Sequence, residues 1–253
     1  MEELSELKEI DRSHGLILSE INLNETSFAT VITISRPEVK NALDLQTMRG
    51  LAEYVDKITL KPSAHRTAVV LHGAGDSFIS GGDLKALHHL RDTSIAREMS
   101  SLMRQSLEKL RDLSGLFVVA AEGPIIGGGA EVFIAGDYRI ISSAARLRFA
   151  QSSLGLSTGW GGGRRLAQLV GKSKALALLL EGETLSATEC QRLGLAHQLI
   201  SKPDHLLAET FQWLSQQSQH PQALYGIKRM LRDDDHQEVD QLEAELFPSL
   251  WSS

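Results

Sequence analysis

Gly127-Gly128-Gly129-Ala130-Glu131 joins the residue types and spacing best suited to chemistry in this chain. Glycines let a backbone come close to a ligand and present bare N–H groups to it. A helix beginning here would add about half a positive charge at its N-terminus. Such an end suits a developing oxyanion, and a carboxylate beside it suits proton transfer. A plainer account is equally open, since helix dipoles favour first-turn glutamates and glycines build loops. The surrounding elements must decide between the two.

A second junction has the same layout. Ser80-Gly81-Gly82-Asp83 follows an apolar run at 68–71, as the triple glycine follows another at 117–121. Each can place a backbone N–H at the start of a helix, and two such donors converging on one carbonyl oxygen make an oxyanion hole. The segment after Glu131, Val132-Phe133-Ile134-Ala135, is wholly apolar, so Glu131 is expected to be buried. Burial in apolar surroundings would raise its pKa toward the range useful for acid–base work.

Rival signatures fail on spacing. Gly171-Lys172-Ser173 ends like a phosphate-binding loop, but Leu166 stands where its first glycine belongs. Gly73-Ala74-Gly75 lacks the third glycine of a dinucleotide fingerprint. Gly155-Leu156-Ser157-Thr158-Gly159 matches the hydrolase nucleophile pattern, yet Trp160-Gly161-Gly162-Gly163 prolongs the loop where a tight turn into a helix is required. No metal-ligand spacing such as H-E-x-x-H occurs.

Bulk properties narrow the class further. The 253 residues fit one large domain, or one with a C-terminal appendage. A net charge of −6 with scattered Lys and Arg argues against a nucleic-acid surface. The longest apolar run, 175–180, is too short to span a bilayer, and residues 1–10 lack the basic start of a signal peptide. A single cysteine, Cys190, forbids intrachain disulfides and fits a cytoplasmic location; it reads as a packed helix residue rather than a nucleophile.

Periodicity supplies the positioning elements. Strands are expected at 16–23, 29–35, 68–71, 117–121, 138–141 and 147–150. Asp44 is expected to cap a helix through about residue 58, Asp83 a short one, and residues 94–113 form a long amphipathic helix. Beyond Gly163 the pattern is helical, with caps at Ser173, Ser186 and Pro203-Asp204, and Pro221 opening another helix. Strand–loop–helix units first and helices last predict an α/β fold.

Taken in order, six blocks resemble the enoyl-CoA hydratase/isomerase (crotonase) family over residues 16–232. They are Ser35-Arg36-Pro37-Glu38-Val39-Lys40-Asn41-Ala42-Leu43, Phe78-Ile79-Ser80-Gly81-Gly82-Asp83-Leu84-Lys85, Gly127 to Glu131, Gly136-Asp137-Tyr138-Arg139-Ile140, Gly162-Gly163-Arg164-Arg165-Leu166 and Gly171-Lys172-Ser173-Lys174-Ala175. The resemblance implies a crotonase-like spiral of ββα units over residues 1–200 and a helical C-terminal trimerisation region over 201–253. It implies an acyl-CoA thioester substrate, with coenzyme A as part of the substrate and no separate cofactor. The N–H groups of Gly82 and Gly128 would hold the thioester oxygen of an enolate, with Glu131 as general acid/base. Lys40, Ala42, Ser80, Gly81, Asp83, Leu84, Lys85, Gly127, Trp160 and Lys228 would contact substrate, the lysines near the CoA nucleotide and phosphates. A homotrimer or dimer of trimers is implied, with no nucleic-acid or membrane partner.

The departures bear on the reaction. Family hydratases carry a second glutamate after the strand at Phe149, and by counting it falls at Ser153. Hydration needs one group to orient water and another to deliver the proton. The spacing from Phe149 to Gly163, with Trp160, is closer to the family's ethylmalonyl-CoA and methylmalonyl-CoA decarboxylases. A lyase or isomerase reaction is therefore expected, with a single-glutamate hydratase and a catalytically degenerate acyl-CoA-binding or interaction protein as alternatives. The resemblance also implies one more closing helix than the 253 residues contain.

Overall fold

The computed structural model describes residues 6–61, 65–83, 85–86, 93–217 and 220–231. Its main sheet has seven strands in the order β1-β2-β3-β4-β5-β7-β10. These are β1 (Lys8–Ser13), β2 (Leu16–Asn24), β3 (Ser27–Ile34), β4 (Arg66–Gly73), β5 (Leu116–Ala121), β7 (Tyr138–Ser142) and β10 (Gln198–Ile200). The first three pair antiparallel through tight turns, and from β3 onward every pairing is parallel. Parallel strands need crossovers, and the helices supply them.

Alternation along the central strands explains their continuous apolar runs. Val69 and Leu71 of β4 and Val119 of β5 enter one core cluster, together with α1 (Leu45–Leu60) and α2 (Thr93–Arg111). Ala68, Val70, Val118 and Ala120 enter the other, beneath Leu206, Phe211 and Leu214 of α7 (Leu206–Ser215). Both faces are covered, so the runs 68–71 and 117–121 are apolar throughout.

A second, smaller sheet crosses the spiral. β6 (Pro124–Ile126) pairs parallel with β8 (Arg146–Arg148), which pairs antiparallel with β9 (Thr184–Ser186). Isolated parallel bridges Leu43–Gly82 and Ile79–Ile125 extend it toward the chain's first crossover. Between these strands lie α3 (Gly128–Phe133), α4 (Gly162–Val170) and α5 (Lys172–Glu181); α6 (Ala187–Arg192) follows β9, and α8 (Pro221–Met230) follows α7.

Caps follow the sequence in part. Asp44 accepts the Thr47 N–H at 2.7 Å, and Ser186 with Glu189 forms a full capping box. Ser173 caps nothing: α5 begins one residue earlier behind Gly171, whose φ of +78° ends α4 and starts α5 in a single joint. Strand β1 is nearly all exposed and β10 is only three residues long, which is why neither stood out by periodicity. Cys190 is buried in α6, and burial pushes its thiol up to about 12, the behaviour of a packed rather than a reactive cysteine. No helix of the described residues is long and apolar enough to cross a membrane.

Candidate active site

Parallel pairing brings the two glycine junctions together. Ile79 is bridged to Ile125, and three residues beyond each lie Gly82 and Gly128. Equal offsets from a parallel bridge end side by side, because both chains advance in one direction at the same rise. A Cβ placed on Gly81 would lie 3.7 Å from the Gly128 nitrogen, which measures how closely the two loops approach. The Gly129 position touches the Ile79 carbonyl so closely that a Cβ would sit 1.9 Å from its oxygen. Phe78 and Phe133 pack edge to face at 6.4 Å and fix α3 against the first junction.

Among the described residues, neither the Gly82 nor the Gly128 N–H donates to a protein acceptor. At Gly82 the neighbouring groups take the pairing instead: Leu43 N–H donates to Gly81 O, and Asp83 N–H to Leu43 O, both at 2.9 Å. Gly128 is the first residue of α3, whose opening N–H groups have no intrahelical partner. Gly127 turns the chain into it with φ +55°, and its carbonyl accepts the Ala130 and Glu131 N–H groups.

Arg36 builds the outer wall. Its guanidinium binds the Ala42 carbonyl and the Asp44 carboxylate at 2.9 Å, and reaches Asp83 at 3.3 Å. Asp83 also caps the following turn through the Ala86 N–H at 3.1 Å. Its side chain thus serves the loop, and Ala42 serves it through a carbonyl. Asn41, fully buried with φ +54°, donates to Ala74 O and Ser77 O and accepts from Arg36 N. Lys40 precedes it with φ +53° and an exposed side chain; Ser80 donates its N–H to the Lys40 carbonyl at 3.2 Å. Lys85 is exposed as well, and Leu84 lies outside the described residues.

Glu131 is buried, 2 % exposed, but its surroundings are not apolar. Oε1 accepts from Gln151 Nε2 at 3.0 Å and Gly159 N at 3.2 Å; Oε2 accepts from Trp160 N and Gly162 N, each at 2.8 Å. Four donors match the four lone-pair sites of an ionised carboxylate, which accepts only. This corrects the expectation of an apolar niche: the glycine-rich loop after residue 158 folds back and turns its N–H groups onto the side chain. Gln151 keeps a buried Oε1 with no hydrogen-bond partner among the described residues. Trp160 is buried, and its indole lies against Gly128 so tightly that a Cβ there would sit 2.2 Å from Cζ3.

One expected site residue falls elsewhere. Lys228 of α8 is 7 % exposed and donates to Leu113 O at 3.0 Å and Gly115 O at 2.7 Å, while pairing with Asp137 at 2.6 Å. Its ammonium anchors α8 at the start of β5, buried among protein acceptors rather than offered to a phosphate. Ser153 is exposed and donates its hydroxyl to the Ala150 carbonyl at 2.7 Å.

The sequence profile of the enoyl-CoA hydratase/isomerase family matches residues 25–252. The chain belongs to this family. Among similar proteins, the ethylmalonyl-CoA decarboxylase of Gallus gallus is 29% identical over 238 residues, covering 91% of this chain and 79% of that one. A short-chain-enoyl-CoA hydratase of Clostridium acetobutylicum is 31% identical over 191 residues, 75% of this chain and 72% of that one. The Pseudomonas aeruginosa DspI structure superposes with a TM-score of 0.82 at 27% identity, over 96% of this chain and 97% of that one. The Bacillus anthracis enoyl-CoA hydratase has the same fold, with a TM-score of 0.82 at 24% identity over 94% and 92%. The protein is therefore a crotonase-family acyl-CoA enzyme with an α/β spiral fold.

Sequence reasoning passed over Gln151, Arg165, Glu108 and Ser100. Arg165 is only 5 % exposed and holds Trp160 O at 2.8 Å and Glu108 at 3.1 Å; Ser100 donates to Gly159 O at 2.6 Å. The signal available was the polar Gln151 and Arg165 flanking a loop of small residues, but Glu131 lies 20 residues from Gln151 and Glu108 lies 57 from Arg165.

Proposed function

We propose that this crotonase-family enzyme decarboxylates a malonyl-type acyl-CoA thioester. The bond between the α-carbon and the free carboxylate breaks, its electron pair moves into the thioester as an enolate, and carbon dioxide leaves. The enolate oxygen rests on the N–H groups of Gly82 and Gly128, and the α-carbon then takes a proton from water. Each preorganised donor of this kind is worth roughly 3 kcal/mol of transition-state stabilisation.

One observation carries the reading: among the described residues the Gly82 and Gly128 N–H groups lack a protein acceptor, and the Asp83 carboxylate beside them is taken up by Arg36. By counting from Phe149 the missing acid falls at Ser153, and Glu131 already accepts four hydrogen bonds. Hydration needs a base for water and an acid for carbon, whereas carbon–carbon cleavage of a malonyl thioester needs only the hole. The relatives named as ethylmalonyl-CoA decarboxylases support the same choice. Exposed Lys40 and Lys85 supply local positive charge for the CoA phosphates at the rim of an otherwise acidic protein.

A panel of malonyl-, methylmalonyl-, ethylmalonyl- and enoyl-CoA thioesters, followed by product mass, tests the proposal. Ethylmalonyl-CoA is expected to give butyryl-CoA and carbon dioxide. Hydration of enoyl-CoA without carbon dioxide release from any malonyl thioester overturns it in favour of a hydratase. Binding without turnover overturns it in favour of a carrier.

A further inference from the structure

The two peptide groups that flank the Trp160 Cα are held by opposite charges. The Trp160 N–H donates to Glu131 of α3, and the Trp160 carbonyl accepts from Arg165 of α4. Arg165 is braced in turn by Glu108 of α2 at 3.1 Å. The loop is built around this clamp: a Cβ on Gly161 would sit 2.9 Å from the guanidinium, and one on Gly162 would sit 2.4 Å from Glu131 Cγ. Ser100 of α2 takes the preceding carbonyl, Gly159 O, at 2.6 Å. Three helices thus converge on a short loop whose only large side chain presses on Gly128. Arg165 pays a visible cost for this place, since its Nε–H is buried without an acceptor among the described residues. A buried orphan donor on an otherwise well-bonded side chain marks a group held for geometry.

We propose that Arg165, braced by Glu108, is a positioning residue for the oxyanion hole. It acts through Trp160: with both flanking peptide groups fixed, the indole can neither rise from Gly128 nor slide along it. The Gly128 peptide is then confined to the orientation that aims its N–H at the thioester oxygen. Arg165 itself touches no substrate. The functional part of this inference rests on the decarboxylation reading above, whereas the clamp on Trp160 stands independently of it.

The chain has three tryptophans, so protein labelled with 5-fluorotryptophan gives three fluorine resonances, and Trp160→Phe identifies the relevant one. Arg165→Met removes both hydrogen bonds while keeping an unbranched apolar stem. It is expected to shift or broaden the Trp160 resonance alone and to lower kcat for carbon dioxide release by about 10- to 100-fold, the scale set by misplacing one group by about 1 Å. KM should stay within about twofold, because no CoA contact is lost. Arg165→Lys keeps the charge without the fork and should recover part of the rate. Glu108→Gln, a gentler change should Arg165→Met not fold, is expected to move the same resonance and to lower kcat less. An unmoved Trp160 resonance in a folded variant overturns the clamp. A moved resonance with unchanged kcat overturns the positioning role. Absence of decarboxylation in the wild type refutes the functional reading alone and leaves the resonance test of the clamp intact.

Discussion

Gly128→Ala tests the geometry of the hole most directly. The added Cβ would lie 2.2, 2.4 and 2.8 Å from Trp160 Cζ3, Cη2 and Cε3, so it strikes the face of the ring and not a flexible tip. Relief to 3.4 Å, an ordinary contact, requires the indole to retreat by about 1 Å. The indole cannot retreat freely, because its flanking peptide groups are tied to Glu131 and Arg165 at 2.8 Å each. Overpacking of this kind costs about 1–3 kcal/mol, or a fall in Tm of roughly 2–10 °C at this chain length. Displacing one donor of the hole should lower kcat by about 100-fold or more. Gly155→Ala is the control: its φ of +69° strains an alanine by about 1–2 kcal/mol, but nothing lies within 4 Å of the new methyl. Melting followed by circular dichroism and carbon dioxide release from ethylmalonyl-CoA should therefore separate the two variants. Equal kcat values for Gly128→Ala, Gly155→Ala and wild type would refute the proposed contact between Trp160 and the hole.

Other consequences follow from the same contacts. Glu131→Ala leaves four buried donors without an acceptor, so urea unfolding should show a loss of at least about 3 kcal/mol; a loss under 1 kcal/mol would mean the loop is not held by this carboxylate. Lys228→Met strands the Asp137 carboxylate and two carbonyls and should cost about 3–5 kcal/mol, while KM for the CoA thioester stays unchanged; a raised KM would return Lys228 to the substrate site. Desolvation holds the His72 imidazole down at about 4, against 6.5 when free, so the folded protein keeps it neutral where the unfolded chain takes up a proton. Its contribution is complete above pH 6.5 and is lost as pH falls toward 4, at about 1.4 kcal/mol per pH unit. His197, lowered to about 4 by desolvation and by Arg139, adds in the same direction. Urea midpoints between pH 4.5 and 7 should flatten by one proton's worth in His72→Gln; an unchanged slope would contradict the burial.

Short-range chemistry and long-range pairing divide the account of this protein. The apolar runs at 68–71 and 117–121, the caps at Asp44 and Ser186, and the two glycine junctions are local signals. Each depends on residues within one or two turns, so the α/β class and the two glycine junctions were legible from order and spacing, while the choice of Gly82 and Gly128 as donors came from the family resemblance. What those donors face was not legible. Their convergence depends on the parallel bridge between Ile79 and Ile125, a register that only the folded sheet sets. Glu131 shows the same limit: its neighbours in sequence are apolar and pointed to a lone acid, while its partners Gly159, Trp160 and Gly162 arrive 28 to 31 residues later. Lys228 was expected near the CoA phosphates by resemblance, but tertiary packing set it against Asp137, 91 residues earlier, and carbonyls at 113 and 115 residues' separation. A sequence fixes which groups are available and which way the local backbone turns. Whether a buried charge acts on a ligand or locks a loop is decided by the donors brought to it across the fold, because desolvation leaves no buried charge without partners.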